Sequence, residues 1–477
     1  MPTHNIKTRH LFVLSILVYH SILLGTTTAQ NKHNIVLFLI DDLGWSDLSC
    51  QGSTYYQTPN IDLLAEQGVR FTDAYAACAV CTPTRAAIMT GKYPARTLMT
   101  EWLPSGRWDP KARLREGRFL RDLPREEYTI AEALRDAGYR TGHFGKWHLG
   151  TETFGMPEHH GFQFNVGGNP HGNPGNYFFP YNGSWKIPKT NQRASWKVLQ
   201  DGEPGEYLTD RLTKEAVKFI RQSDVDEQPF FLYFPHYGVH TPIQAKQEVT
   251  AKYEKISKGE RQGLPAYAAM VESIDDSVGQ ILQTLEKMDL TDNTVVIFTS
   301  DNGGFWKATS NAPLRANKGA YYEGGIRVPL IIKWPGVAEQ GVVINTPSTS
   351  ADLYPTCLAA AGLPLLSNQH EDGLDLTPLL DGKGVIKERA LFWHYPHYNG
   401  HPSSVPSSVI RKGKWKLIQT YDPAGIELYN LENDLSEKND LAMQETELTD
   451  RLLNELEAWK VSVGAEKMLP NPDFECP

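Results

Sequence analysis

An α/β fold with a large, mostly parallel sheet covered by helices on both faces is predicted by three observations. Asn34 to Ile40 is an unbroken apolar run, the pattern of a strand buried on both sides. Two stretches repeat apolar residues at four-residue steps, Leu208, Leu212, Ala216, Ile220 and Ile274, Val278, Ile281, Leu285, which marks amphipathic helices. Each leads into another apolar run, Pro229 to Phe234 and Thr294 to Thr299, and strands alternating with helices build parallel sheets.

The first thirty residues read as a separate unit. Lys7, Arg9 and His10 precede an apolar run from Leu11 to Leu24, and small residues follow from Gly25 to Ala29. That order is a secretory signal peptide, residues 1–29, cut after Ala29. A membrane anchor needs about 20 apolar residues, and His20 and Ser21 interrupt this shorter run. The expected destination is the periplasm or medium of a bacterium, or the secretory pathway or lysosome of a eukaryote, with no stable membrane insertion after cleavage. Asn182-Gly183-Ser184 is a glycosylation acceptor that matters only in a eukaryotic host.

Beyond the first strand, Thr58 as N-cap, Pro59 at the first helical position and Gly68 past the end delimit a helix. Thr129 and Glu132 form the capping box of another, which stops near Gly138. Near Asp381 the texture changes to short strand-like pieces, Ser408 to Arg411, Trp415 to Gln419 and Ile426 to Tyr429, followed by an amphipathic helix from Glu445 to Val461. The mature chain is therefore divided into a large domain, residues 30–380, and a smaller C-terminal α+β domain, residues 381–477, carrying an antiparallel sheet.

A net charge of -9 with interleaved signs and no basic run excludes the electrostatic footprint of a nucleic-acid binder. An anionic polymer would need a local basic pocket. All five cysteines lie after position 29, and an odd count in an exported chain points to one thiol with its own task. If that thiol is Cys81, then Cys50, Cys78, Cys357 and Cys476 pair in any of three ways or remain free. No feature specifies an oligomeric state.

Three apolar strands end in reactive groups: Asp41 and Asp42, then His236 and His240, then Asp301 and Asn302. Open α/β sheets bind ligands at the carboxyl ends of their strands. Helix caps and turns also use Asp and Asn, but adjacent carboxylates at a buried strand end repel each other unless a cation joins them. An all-oxygen set suits a hard cation, Ca2+ ahead of Mg2+. In Cys81-Thr82-Pro83-Thr84-Arg85 the proline marks a helix start, which puts Cys81 at the positive end of the dipole. A buried cysteine in an ordinary loop is an equal reading of this pentapeptide alone.

That pentapeptide, with Ala86-Ala87 and Thr90-Gly91, resembles the signature of the type I, formylglycine-dependent sulfatases. The likeness extends through Asp41-Asp42-Leu43-Gly44, Gly145-Lys146-Trp147-His148-Leu149-Gly150, Ser300-Asp301-Asn302-Gly303, Lys318-Gly319 and Tyr322-Glu323-Gly324-Gly325. Several separated motifs in the right order make chance agreement improbable. The family's fourth signature position is usually Ser or Ala and is Thr84 in this chain.

The resemblance implies an alkaline-phosphatase-like fold and hydrolysis of sulfate esters. It also implies oxidation of Cys81 to formylglycine by a maturation enzyme, and Ca2+ held by Asp41, Asp42, Asp301, Asn302 and the modified residue 81. Arg85 is expected to orient the aldehyde hydrate, with Lys146 and Lys318 neutralising sulfate oxygens. His148 is expected to handle the proton of the second hydroxyl, and His240, assisted by Lys318, to protonate the leaving alkoxide.

Selectivity is expected in loops Thr97 to Glu127 and Gly167 to Tyr181, the second containing His171 and Asn173. His171, His236, His394 and His397 are the candidate substrate-binding residues. For His394 and His397 a core aromatic strand is an equal reading. The expected substrate is a sulfated saccharide from a polysaccharide or glycosaminoglycan. The rivals are a phosphatase or phosphodiesterase of the related fold, and a non-catalytic binder of sulfated glycans if Cys81 stays unmodified.

Overall fold

The apolar run Asn34–Ile40 is β1, fully buried, and it lies near the middle of the main sheet. The structure, a computed structural model, describes residues 1–2, 32–104, 108–186, 191–258 and 262–474. The signal-peptide reading and Cys476 fall outside these residues. From Lys32 onward the chain is one compact unit.

The remaining strands of the main sheet are β2 (Val69–Tyr75), β3 (Arg140–Phe144), β4 (Phe164–Val166), β5 (Phe230–Pro235), β6 (Thr294–Ser300), β7 (Arg327–Lys333) and β8 (Val342–Ile344). Their order is β8-β2-β7-β6-β1-β5-β3-β4, with Ser348–Thr349 joining β2. β1 runs parallel to β5 and β6, whereas β7 is antiparallel to both its neighbours.

Alternation along β1 builds two cores. Val36, Phe38 and Ile40 pack with α4 (Leu208–Val225) and α5 (Pro265–Lys287). Ile35, Leu37 and Leu39 face α2 (Cys81–Thr90), α3 (Ile130–Asp136) and α6 (Leu353–Ala360) on the other side. Both faces are dry, which is why the strand reads as continuous rather than alternating.

The capping box on α3 forms as expected: Thr129 accepts from the Glu132 amide and Glu132 from the Thr129 amide. Thr58 does not cap α1 (Pro59–Glu66) with its side chain. Its hydroxyl instead donates to Asp62, and the α1 amides of Asn60 and Ile61 donate to Asp275 on α5. A distant carboxylate thus serves the helix end.

The texture change near Asp381 is a change of sheet within the same unit. Strands β9 (Ala390–Tyr395), β10 (Ser407–Lys412), β11 (Trp415–Tyr421) and β12 (Ala424–Asn430) form an antiparallel meander. One face carries α7 (Thr446–Ser462), with Leu452, Leu456 and Trp459 on Ile410, Leu417 and Leu428. The opposite face places Trp393, Val409 and Ile418 against Cys78, Ala79 and Val80, directly behind Cys81. Among the described residues no helix is long and apolar enough to cross a membrane, and no disulfide joins any pair of Cys50, Cys78, Cys81 and Cys357.

Candidate active site

The carboxyl ends of β1 and β6 bring the acidic groups together. Asp42 adopts a left-handed conformation, φ 63°, unusual for a residue with a side chain. Its amide donates to Asp301 Oδ1 at 3.2 Å, while the Asp41 amide donates to the Gly238 carbonyl at 3.0 Å. Asn302 Nδ2 donates to Asp42 Oδ1 at 2.8 Å. Gly303 is required by close approach: a Cβ there would stand 1.9 Å from the Gly324 carbonyl oxygen.

Cys81 is the first residue of α2 and is buried. Its Sγ lies 3.5 Å from Asp41 Oδ1 and 3.5 Å from Lys318 Nζ. Thr84, the variant signature position, ties this helix start to the preceding turn: its hydroxyl accepts from the Cys78 amide and donates to the Cys78 carbonyl, both at 3.0 Å.

Arg85 reaches beneath Cys81. Its Nε and Nη2 donate to Asp301 Oδ2 at 2.9 and 2.7 Å, and Nη1 donates to the Lys146 carbonyl at 2.8 Å. Lys146 Nζ pairs with Asp41 Oδ2 at 2.7 Å and Lys318 Nζ with Asp42 Oδ1 at 2.6 Å. Gly145, at φ 128°, lets the Lys146 loop pass the Pro235 carbonyl, 2.0 Å from where a Cβ would sit.

Charge and burial set the ionisation. Burial, reinforced by Asp301 and Asp42, pushes the Asp41 carboxyl up to about 8 despite Lys146. For Asp42 burial is outweighed by the Lys318 and Lys146 ammonium groups and the Asn302 amide, which hold the carboxyl below its usual range. Burial raises the Cys81 thiol to about 12, against the pull of Lys146 and Lys318. As a free thiol it is therefore protonated and a poor nucleophile.

The two histidines are neutral here. Burial lowers His148 well below its ordinary range, and its Nε2 donates to the Leu103 carbonyl, so Nδ1, which has no partner, is the bare nitrogen. Burial and Lys318 bring His240 down to about 3. Its Nδ1 donates to the Thr241 carbonyl at 2.8 Å, leaving Nε2 facing Asp42 Oδ2 at 3.7 Å.

These residues fit a divalent cation. Single ligand atoms of Asp41, Asp42, Cys81 and His240 all lie within 4.8 Å of one another, with two lysine ammonium groups set against the same carboxylates. Asn302 Oδ1 is buried without a hydrogen-bond donor, an orphaned acceptor of the kind an ion satisfies. Asp301, expected as a ligand, is bonded by Arg85 on one oxygen and by the Asp42 amide on the other.

A cavity of about 850 Å³ opens above Cys81, lined at its floor by Asp42, His148, His240 and Lys318. His171 lines the wall, stacked on Trp196 with centroids 3.9 Å apart. Three expected substrate-binding residues are not in this lining. His236 is buried, stacked on Phe234 at 3.9 Å and 3.4 Å from Ser277 Oγ. His394 belongs to the aromatic strand β9, its nitrogens engaged by Ser408 and the Glu466 carbonyl, and His397 is buried against Thr100. His236 follows β5 by one residue and His397 follows β9 by two, and all three rings are buried.

Wall residues outside the anticipated loops come from a hairpin, Asn182–Lys186 with Arg193–Lys197, which contributes Trp185 and Trp196, and from Phe305, Trp306 and His401. Nothing local flagged the hairpin tryptophans. Phe305-Trp306, directly after Asp301-Asn302-Gly303-Gly304, was a readable signal.

Residues 33–363 match the family model Sulfatase, and residues 316–462 match the model described as N-sulphoglucosamine sulphohydrolase, C-terminal. The chain is 34% identical to a sulfatase of Formosa agariphila, over 92% of this chain and 90% of that protein. It is 36% identical to arylsulfatase A of Homo sapiens, over 80% and 74% respectively. Its structure is similar to the crystal structure of Ps i-CgsB, with a TM-score of 0.76 and 33% identity, over 90% of this chain and 93% of that one. The same protein has been solved in complex with k-i-k-neocarrahexaose.

Proposed function

The chain belongs to the sulfatase family, enzymes that hydrolyse sulfate esters, and from that premise we propose that it desulfates a saccharide derived from a polysaccharide or glycosaminoglycan. The observation that carries the reading is Cys81 at the cavity floor, 3.5 Å from both Asp41 and Lys318. We further propose that a maturation enzyme converts Cys81 to formylglycine and that Ca2+ is held by Asp41, Asp42 and Asn302, with Asp301 beside them. The saccharide assignment is supported by the aromatic, polar cavity and by the oligosaccharide bound to Ps i-CgsB.

When present, the ion supplies charge stabilisation at the sulfate oxygens, and the aldehyde hydrate at position 81 supplies an oxygen nucleophile. Arg85 is rigid between Asp301 and the Lys146 carbonyl, so it holds residue 81 and its hydrate in one orientation. Lys146 and Lys318 approach from opposite carboxylates and meet the charge that spreads over the sulfate in the transition state. His148, with Nδ1 bare, would accept the proton of the second hydroxyl as the carbonyl re-forms and its bond to sulfate breaks. His240 and Lys318 stand together at Asp42; Lys318, which carries the proton, would pass it to the departing saccharide oxygen, with the bare Nε2 of His240 beside it.

The test is turnover of defined sulfated mono- and oligosaccharides by protein matured with a formylglycine-generating enzyme. Sulfate release is expected from the natural sequence and not from a folded Cys81→Ala variant. Substantial release by that variant would exclude residue 81 as nucleophile.

A further inference from the structure

The cavity carries the opposite charge from the molecule that contains it. The chain has a net charge of -9, yet the cavity lining holds one carboxylate, Asp42, against three cationic side chains, Arg121, Lys307 and Lys318. Lys318 is committed to Asp42. Arg121 and Lys307 are exposed, on two different loops, and among the described residues neither has a carboxylate partner. Asp122, next to Arg121 in the chain, is engaged by Thr151, so the two exposed cations lining the cavity have no ion-pair partner among the described residues and give it a positive mouth.

Lys307 is also placed on a stacking surface. Its Nζ sits 4.9 Å from the Trp306 ring centroid, and Phe305 and Trp306 line the same wall. Trp102, Trp185 and Trp196 also line the cavity, with Trp102 edge-on to Trp185. Aromatic faces bind the apolar faces of sugar rings, but they do not require added cations. A saccharide whose single sulfate enters the floor would leave Arg121 and Lys307 without a counterpart.

We propose that the substrate carries a second anionic group, a further sulfate or a uronate carboxylate on a neighbouring sugar, which Arg121 and Lys307 engage at the cavity mouth. This rests on the sulfatase reading and specifies its substrate class: a polyanionic oligosaccharide rather than a singly sulfated sugar. The geometry suits a chain that runs outward from the floor along the tryptophans, with its reacting sulfate at residue 81. Charge-assisted pairing at the mouth raises affinity and capture rate more than the chemical step.

The experiment measures kcat/KM of the matured enzyme for two oligosaccharides of equal length, one with only the reacting sulfate and one with an additional anionic group. Turnover of the first tests the sulfatase reading by itself. The ratio of the two values tests this inference. The expected ratio favours the doubly anionic substrate by about tenfold, on the scale of two charge-assisted contacts, mainly through KM, and falls as salt screens the charges.

In Arg121→Gln with Lys307→Gln the ratio is expected to approach one. Thermal unfolding of that double variant is expected at the wild-type temperature, since both side chains are exposed. A wild-type ratio near one, or a ratio unchanged in the double variant, would overturn the proposal even where the enzyme turns over the singly sulfated sugar.

Discussion

Arg85 and Asp301 form a fully buried ion pair in which Nε and Nη2 converge on one carboxylate oxygen, at 2.9 and 2.7 Å. The other Asp301 oxygen accepts the Asp42 amide, so one contact links α2, β6 and the turn after β1. Breaking a buried pair from one side leaves an unpaired charge, which costs about 3–5 kcal/mol. Arg85→Leu is therefore expected to lower the thermal midpoint and abolish sulfate release together. Unchanged melting in that variant would contradict the structural half of this role.

Thr84 bridges the amide and carbonyl of Cys78. Thr84→Ser keeps the hydroxyl and is expected to melt close to the natural protein. Thr84→Val leaves a buried amide and carbonyl unsatisfied, at a cost of about 1–3 kcal/mol, and frees the start of the helix that presents Cys81. Denaturant unfolding of the two variants side by side checks this: equal stabilities would remove the bridge as the reason for a hydroxyl at this position.

Lys416 is buried between two carboxylates, Glu323 at 2.9 Å and Glu437 at 2.8 Å. The cluster ties the C-terminal meander to the segment before β7. Burial and the neighbouring Glu323 raise the Glu437 carboxyl to about 7. Because the folded state holds this proton more tightly than the unfolded chain, its contribution is complete below the unfolded value, near 4.5. It is lost as pH rises through about 7. In Glu437→Gln the decline of stability across that window is expected to flatten. A pH profile of unfolding identical to the natural protein's would contradict the assignment.

Calcium binding is expected to stabilise the fold by mass action, by about 2.7 kcal/mol at a hundred times its Kd. A chelator reverses the gain. Asp42→Ala removes a proposed ligand, so its melting temperature is expected to ignore calcium. A calcium-induced shift preserved in that variant would move the ion elsewhere.

The legible parts of this molecule were those with a single physical cause. β1 reads as a strand because both faces are dry, and α4 and α5 read as helices because one stripe of each is buried. The meeting of Asp41, Asp42, Asp301 and Asn302 is readable because an open α/β sheet gathers the residues at the carboxyl ends of its strands. β2 and β3 were not readable: Val69-Arg70-Phe71-Thr72-Asp73 mixes polarity because Arg70 and Asp73 pair with Gln51, Arg327 and Arg411 from elsewhere in the chain. The Trp185 and Trp196 wall and the burial of His236 depend on how distant segments meet, and no local pattern encodes that. The isolated polar residue is the hard case: His394, a candidate for the substrate pocket in sequence, is satisfied internally by Ser408 and the Glu466 carbonyl.

The most direct measurement is mass spectrometry of the peptide bearing position 81, taken from protein that releases sulfate. The account predicts an aldehyde in place of the thiol in the active fraction, with activity proportional to its occupancy. An intact cysteine at full activity would contradict it.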